Sequence, residues 1–271
     1  TIGATQIITV LNAPPTFTLG NDFTASEGDL IQLPSPVITD AGLADTHTYL
    51  WQVTASHGQE IADTSTPGLS FLAKDDGTYT ITLTVTDDDG DSTTDQQLLT
   101  VSNLAPADVT AGGPYEIREG ESLTVNANAV DVADDPLTFT WDINGDGTGS
   151  PALGHETSGT VSDDGLRVTW TWEQLNQLGI NDGPAEFTVT VQVADDKPVS
   201  TTASTTLNVI NVAPTPFLSL QQSDNTPLPE NGVSEGVSIQ LVDPPTDPGN
   251  DEPFIYNWLV SRDGTVVYDQ S

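Results

Sequence analysis

Residues 79–106 read YTITLTVTDDDGDSTTDQQLLTVSNLAP. Tyr79, Ile81, Leu83 and Val85 alternate with Thr80, Thr82, Thr84 and Thr86, a period of two that predicts a half-buried strand with one apolar face and one threonine face. Asp87, Asp88, Asp89 and Asp91 then crowd around Gly90. Adjacent carboxylates repel and glycine supplies the backbone freedom of a turn, so the strand ends there. A cation would relieve that loop. Leu99 and Val101 predict a returning strand, and Asn103-Leu104-Ala105-Pro106 closes it, because proline has no N–H to give a ladder.

The same series recurs on both sides of this stretch. Residues 5–11 (TQIITVL) run into Asn12-Ala13-Pro14, and a third junction stands at Asn211-Val212-Ala213-Pro214. Pro14, Pro106 and Pro214 lie 92 and 108 residues apart, the repeat length of a sandwich domain. Inside each repeat the landmarks keep their order. Glu27-Gly28, Glu119-Gly120 and Glu235-Gly236 come first, then an alternating strand, an acidic loop, and Tyr49-Leu50-Trp51, Phe139-Thr140-Trp141 or Tyr256-Asn257-Trp258. A tryptophan so placed is read as core, packed between two sheets.

The expected organisation is therefore residues 1–12 as the final strand of a preceding or exchanged module, 13–103 as sandwich one, 104–211 as sandwich two and 212–271 as an incomplete third. Sandwich two carries an insertion in which residues 172–178 (WEQLNQL) before Gly179 predict a short capping helix that glycine can end.

Forty acidic residues against five basic ones give a formal charge of -35. Nucleic-acid phosphates and anionic membranes both need clustered Lys and Arg, so neither is an expected partner. Solubility in salty water and a divalent-cation requirement both fit the charge, and they are compatible. Cysteine is absent, which removes disulfides and thiolate metal sites and leaves the modules to stand on hydrophobic cores. No apolar run approaches the ~18 residues of a spanning helix, and no signal-peptide pattern opens the chain. With no Met in the sequence, Thr1 is not read as a translation start, and a piece of a longer precursor or a processed product is expected.

Together, the aromatic-x-Trp pattern, the acidic loop ending a Y/F-T-x-T-x-x-V strand, the E-G turn and the N-x-A-P junctions resemble tandem PKD-type and cadherin-like immunoglobulin sandwiches of large bacterial secreted and cell-surface proteins. The W-D-F-G-D-G signature of that family is approached at residues 141–147 (WDINGDG), while Trp51-Gln52 and Trp258-Leu259 depart from it. The resemblance implies an all-β chain of tandem immunoglobulin-like antiparallel β-sandwiches in a linear array, an extracellular setting, and calcium near the junctions.

Topology gives the calcium expectation a residue-level form, since alternate loops of a sandwich share an end. Glu27 is expected beside Asn103, with Asp131, Asp134, Asp135, Asp195 and Asp196 meeting it. The same construction places Asn12, Asp40, Asp45, Asp87 and Asp89 at the first junction, and Glu119, Asn211, Asp243, Asp247 and Asp251 at the second. Two such charges ~4 Å apart repel by ~4 kcal/mol at an effective dielectric of 20, and hard oxygen ligands in this number suit Ca²⁺. A solvated acidic rim without an ion is the competing reading. Asp142-Asn144-Asp146-Gly147 also copies the front of an EF-hand loop, although Leu153 stands where its closing glutamate belongs.

Catalysis finds little support. His47, His57 and His155 are read as single loop residues, and neither H-E-x-x-H nor a Gly-rich phosphate loop occurs. The chain is expected to be non-enzymatic, part of a calcium-stiffened extracellular rod in a surface layer, filament or adhesin stalk. Its expected partners are adjoining repeats or neighbouring copies, by strand exchange among other routes, and a surface glycan or protein receptor. An accessory carbohydrate-binding or spacer region of a secreted enzyme is the alternative, to be favoured if Trp170 and Trp172 stand exposed.

Overall fold

The computed structural model describes residues 6–132, 135–147, 160–161, 166–197, 199–216, 219–222, 226–231, 237–242, 245–250, 254–255, 257–262 and 265–270. Chain contacts group into two units. Unit 1 comprises Thr1–Asp108, Ala129–Thr138 and Val193–Thr201, and unit 2 comprises Val109–Asn128, Phe139–Gln192 and Thr202–Ser271.

Sandwich one is built from β1 (Phe23–Ser26), β2 (Leu30–Leu33), β3 (His47–Ala55), β4 (Leu69–Leu72), β5 (Gly77–Asp87) and β6 (Ser92–Ser102). The alternation that opened the analysis becomes β5, where Tyr79, Ile81, Leu83 and Val85 are all fully buried. One sheet runs β1-β6-β5-β3 and the other pairs β2 with β4. Ile31, Leu69 and Phe71 of the small sheet pack against Trp51, Leu83 and Leu99 of the large one. Trp51 is 1% exposed, and its Nε1 donates to the Thr66 carbonyl at 3.1 Å, satisfying the polar edge of a core indole.

The expectation of purely antiparallel sheets needs one correction. β1 runs parallel to β6, with Phe23 opposite Leu99 and Ser26 opposite Ser102. The first strand lies along the last, and the Glu27-Gly28 turn then carries the chain to the other sheet. Gly28 holds φ +79 there, and a Cβ on it would meet Val132 Cγ1 at 2.9 Å, so both conformation and space demand glycine.

The outward positions of the large sheet carry no charge. β3 presents Thr48, Leu50, Gln52 and Thr54, β5 presents Thr80, Thr82, Thr84 and Thr86, and β6 presents Ser92, Thr94, Gln96, Leu98 and Thr100. Thr84 and Thr94 share a 2.9 Å hydroxyl hydrogen bond across the strands.

Sandwich two repeats the plan with β7 (Ala107–Thr110), β8 (Tyr115–Arg118), β9 (Leu123–Asn126), β10 (Asn128–Val130), β11 (Thr138–Asp142), β12 (Thr160–Val161), β13 (Arg167–Trp170), β14 (Ala185–Ala194) and β15 (Ser200–Ile210). Its sheets run β11-β14-β15-β8 and β12-β13-β9, and β7 pairs with β10. β8 is again parallel to the last strand, β15. The predicted helix is α1 (Trp172–Gln177), started by a capping box between Thr171 and Gln174 and followed by Gly179 at φ +80.

Trp170 is fully buried, and half-buried Trp172 donates from Nε1 to the Pro248 carbonyl at 2.8 Å. The third repeat contributes two two-stranded sheets, from β16 (Ser219–Gln222) with β17 (Ile239–Val242) and β18 (Trp258–Arg262) with β19 (Thr265–Gln270). Glu235, Gly236 and Tyr256 lie outside the described residues.

Leu83→Ala should destabilise the chain by about 2 to 5 kcal/mol, the usual cost of emptying a packed core site. Thr100→Ala, on the outward face of β6, should stay within about 0.5 kcal/mol. Denaturant melts of the two variants against the parent check the assignment of faces.

Candidate metal centre

The site grows out of the turn after β1. Strand β1 delivers Glu27 inward, leaving it 1% exposed. Its backbone N–H donates to the Ser102 carbonyl, and its Oε1 accepts from the N–H of Leu104 at 2.7 Å. Asp135 and Asp75 approach from other loops, and one carboxylate oxygen of each lies within 4.8 Å of the others and of Glu27. Asn103 Nδ2 donates to Asp195 Oδ2 at 3.0 Å. All of these residues belong to unit 1.

The electrostatics are those of a negative pocket short of donors. Glu27 Oε2, Asp131 Oδ2, Asp135 Oδ2 and Asn103 Oδ1 are buried and accept no hydrogen bond. Burial pushes the Glu27 carboxyl above its usual range, the Leu104 N–H opposes this, and the charges of Asp135, Asp131 and Asp75 add to the rise. Asp131 is likewise raised, first by burial and then by Asp195, against the Val132 N–H. Asp135 is pushed up to about 6 by burial and by Asp75, Asp131, Asp196 and Asp195. Four hard oxygen acceptors without donors are the chemistry that an oxygen-seeking divalent cation satisfies.

Of the residues expected here, Glu27, Asn103, Asp131, Asp135 and Asp195 are brought together. Asp196 turns to Lys197, whose Nζ stands 3.2 Å from it and 2.9 Å from Asp76. Asp134 lies outside the described residues.

At the first junction Asp40, Asp45 and Asp87 form a second cluster. Asn12 Nδ2 donates to Asp87 Oδ2 at 2.9 Å, the counterpart of the Asn103–Asp195 bond. Asp87 also accepts from the N–H groups of Asp89, Gly90 and Asp91, and its carboxyl is held low, chiefly by Asn12. Asp89 contributes that N–H but its carboxylate is not in the cluster. His47 is corrected from loop to strand. It opens β3 and places Nε2 2.9 Å from Asp40 Oδ2, which lowers the Asp40 carboxyl. Asp45 is raised by burial and by its acidic neighbours.

At the second junction Glu119 is 3% exposed, and both its oxygens are engaged, by Gly183 N–H at 2.6 Å and Val212 N–H at 2.8 Å. Asp247 Oδ1 accepts from Gly249 N–H, while its buried Oδ2 has no donor. Asn211 is exposed, and Asp243 and Asp251 lie outside the described residues. The loop that imitates an EF-hand closes on itself instead. Asp142 accepts from the N–H groups of Gly145 and Gly147, Asn144 Nδ2 donates to Asp146 Oδ2 and the Leu178 carbonyl, and Asp146 N–H donates back to Asn144. His57 packs edge-on against Tyr79, ring centroids 5.3 Å apart, and His155 lies outside the described residues.

Asp75 is the cluster member that the sequence reading missed. The repeat contains the signal, for Asp75-Asp76 leads into Gly77 at the start of β5 as Asn181-Asp182-Gly183 leads toward β14.

Comparison with known proteins follows the geometry. Residues 20–101 match the family described as K319L-like, PKD domain. That stretch, which runs from just before β1 to the penultimate residue of β6, is a PKD-like domain. No curated protein matches the chain. Among solved structures the chain is similar to murine CEACAM1b, at 15% identity over 72% of this chain and 100% of that one with a TM-score of 0.31. It is similar to the insect immune protein hemolin, at 15% identity over 76% and 49% with a TM-score of 0.39. It is also similar to Drosophila N-cadherin EC1-4, at 17% identity over 74% and 50% with a TM-score of 0.32.

A raised carboxyl binds its proton more readily in the folded chain than in the unfolded one, so stability falls as pH rises between the two values. With Asp135 at about 6, the metal-free protein should gain stability as pH drops from roughly 7 toward roughly 5. Melting temperature against pH in chelator checks this, and Asp135→Asn should flatten the profile.

Proposed function

We propose that this chain is a non-enzymatic segment of an extracellular structural or adhesive protein, a calcium-stiffened series of β-sandwiches from a bacterial surface layer, filament or adhesin stalk. The observation that carries the reading is the set of donorless buried oxygens on Glu27, Asn103, Asp131 and Asp135. Asp75 joins them as a further carboxylate. Calcium, when bound, supplies the positive charge this pocket lacks.

The chain's own residues do the rest. Glu27 fixes the backbone after Asn103 through Leu104, and Asn103 fixes the acidic loop after β14 through Asp195. A cation on the remaining oxygens would join Glu27, Asp75 and the loops carrying Asp131, Asp135 and Asp195 into one rigid cluster within unit 1. The PKD-like domain at residues 20–101 and the uncharged outer sheet face support a load-bearing or spacing role. Trp170 is buried and Trp172 engaged by Pro248, which favours a spacer over a carbohydrate platform. Among the described residues, no helix is long and apolar enough to cross a membrane.

Calcium should raise the melting temperature and EDTA should reverse the rise, with the ~10⁻⁴ to 10⁻³ M affinity of extracellular modules. At a hundred-fold excess over Kd the gain is about 2.7 kcal/mol. Asp135→Asn should abolish most of the calcium response while leaving the metal-free chain as stable or more so. Glu27→Gln should weaken the response while its amide oxygen keeps the Leu104 contact. An identical melt in calcium and in EDTA would remove calcium from the reading.

A further inference from the structure

We infer that residues 6–11 form a docking strand for another β-sandwich module of this kind, one that lacks its own last strand. The sequence QIITVLN at residues 6–12 repeats QLLTVSN at residues 97–103. In β6 the second copy is held on both sides, with Leu99 opposite Phe23 of β1 and Tyr79 of β5, and Leu99 and Val101 are 0% and 3% exposed. Their counterparts Ile8 and Val10 are 79% and 88% exposed, and Ile7 and Leu11 exceed 80%. Residues 6–11 have no ladder among the described residues. Four large apolar side chains on a β-branched segment with open backbone groups form a template for strand addition.

Two further observations fix the kind of partner. Asn12 already makes the contact to Asp87 that Asn103 makes to Asp195, so the segment ahead of it is tied to sandwich one by the same side-chain bond. Next, the N–H groups just after the other junction asparagines are each taken by the glutamate of an E-G turn, Leu104 by Glu27 and Val212 by Glu119. Ala13 occupies that position at the first junction, and no described residue accepts from its N–H. The partner therefore offers strands like β1 and β5 to flank residues 6–11, and an E-G glutamate to accept from Ala13.

The test places a copy of residues 14–96 directly ahead of Gln6 in the full chain, so that residues 6–11 follow where 97–102 would. Amide hydrogen exchange at Ile8 to Leu11 should slow at least 100-fold relative to the parent chain, in EDTA as well as in calcium. In the extended chain Ile8→Asp with Val10→Asp should restore fast exchange and leave the added body unfolded. An extension that carries its own last strand, residues 14–103, should leave residues 6–11 in fast exchange. Fast exchange at Ile8 to Leu11 in the first extended chain, whether or not the added body folds, overturns the inference. Protection that is the same with and without calcium supports the docking strand.

Discussion

A buried glutamate accepting the N–H just beyond a junction asparagine, Asn103 or Asn211, is the contact on which the rest of this architecture depends. Glu27 and Glu119 both do it, and the two sites differ in what happens to the second oxygen. Glu119 meets Gly183 N–H as well as Val212 N–H, so its charge is shared between two donors. In sandwich one Glu27 Oε2 has no donor, and its charged neighbours are Asp75, Asp131 and Asp135. The presence of that second N–H separates a satisfied structural carboxylate from one whose outer oxygen is buried without a donor.

Much of this could be read from the chain. The alternation of residues 79–86 predicts β5 and its buried face because a period of two has only one structural meaning over eight residues. The residues WEQLNQL before glycine predict α1, and Thr171 and Gln174 supply a capping box that the reading did not use. Glu27, Asn103, Asp131, Asp135 and Asp195 were found together because sandwich topology fixes which loops share an end. Asp75 was not, since its approach depends on how the turn before β5 lies against Glu27, a tertiary fact. The parallel pairing of β1 with β6 was equally hidden, because local patterning gives a strand's face but not the direction of its neighbour.

Residue type and spacing also overstated one site. Asp142, Asn144 and Asp146 have the spacing of a cation loop, yet backbone N–H groups from Gly145 and Gly147 reach Asp142 first. An acidic side chain whose oxygens are already held by its own turn offers a cation less than one that burial has stripped of donors. His47 shows the converse. Read as an isolated loop residue, it opens β3 and its hydrogen bond holds the Asp40 carboxyl below its usual range.

The neutral outer face of the large sheet has its own implication. With 40 acidic residues in the chain, none stands among the threonines, glutamines and leucines presented there by β3, β5 and β6. Mutual repulsion between molecules is then directional: strongest where loop carboxylates confront each other, weakest where two such faces meet.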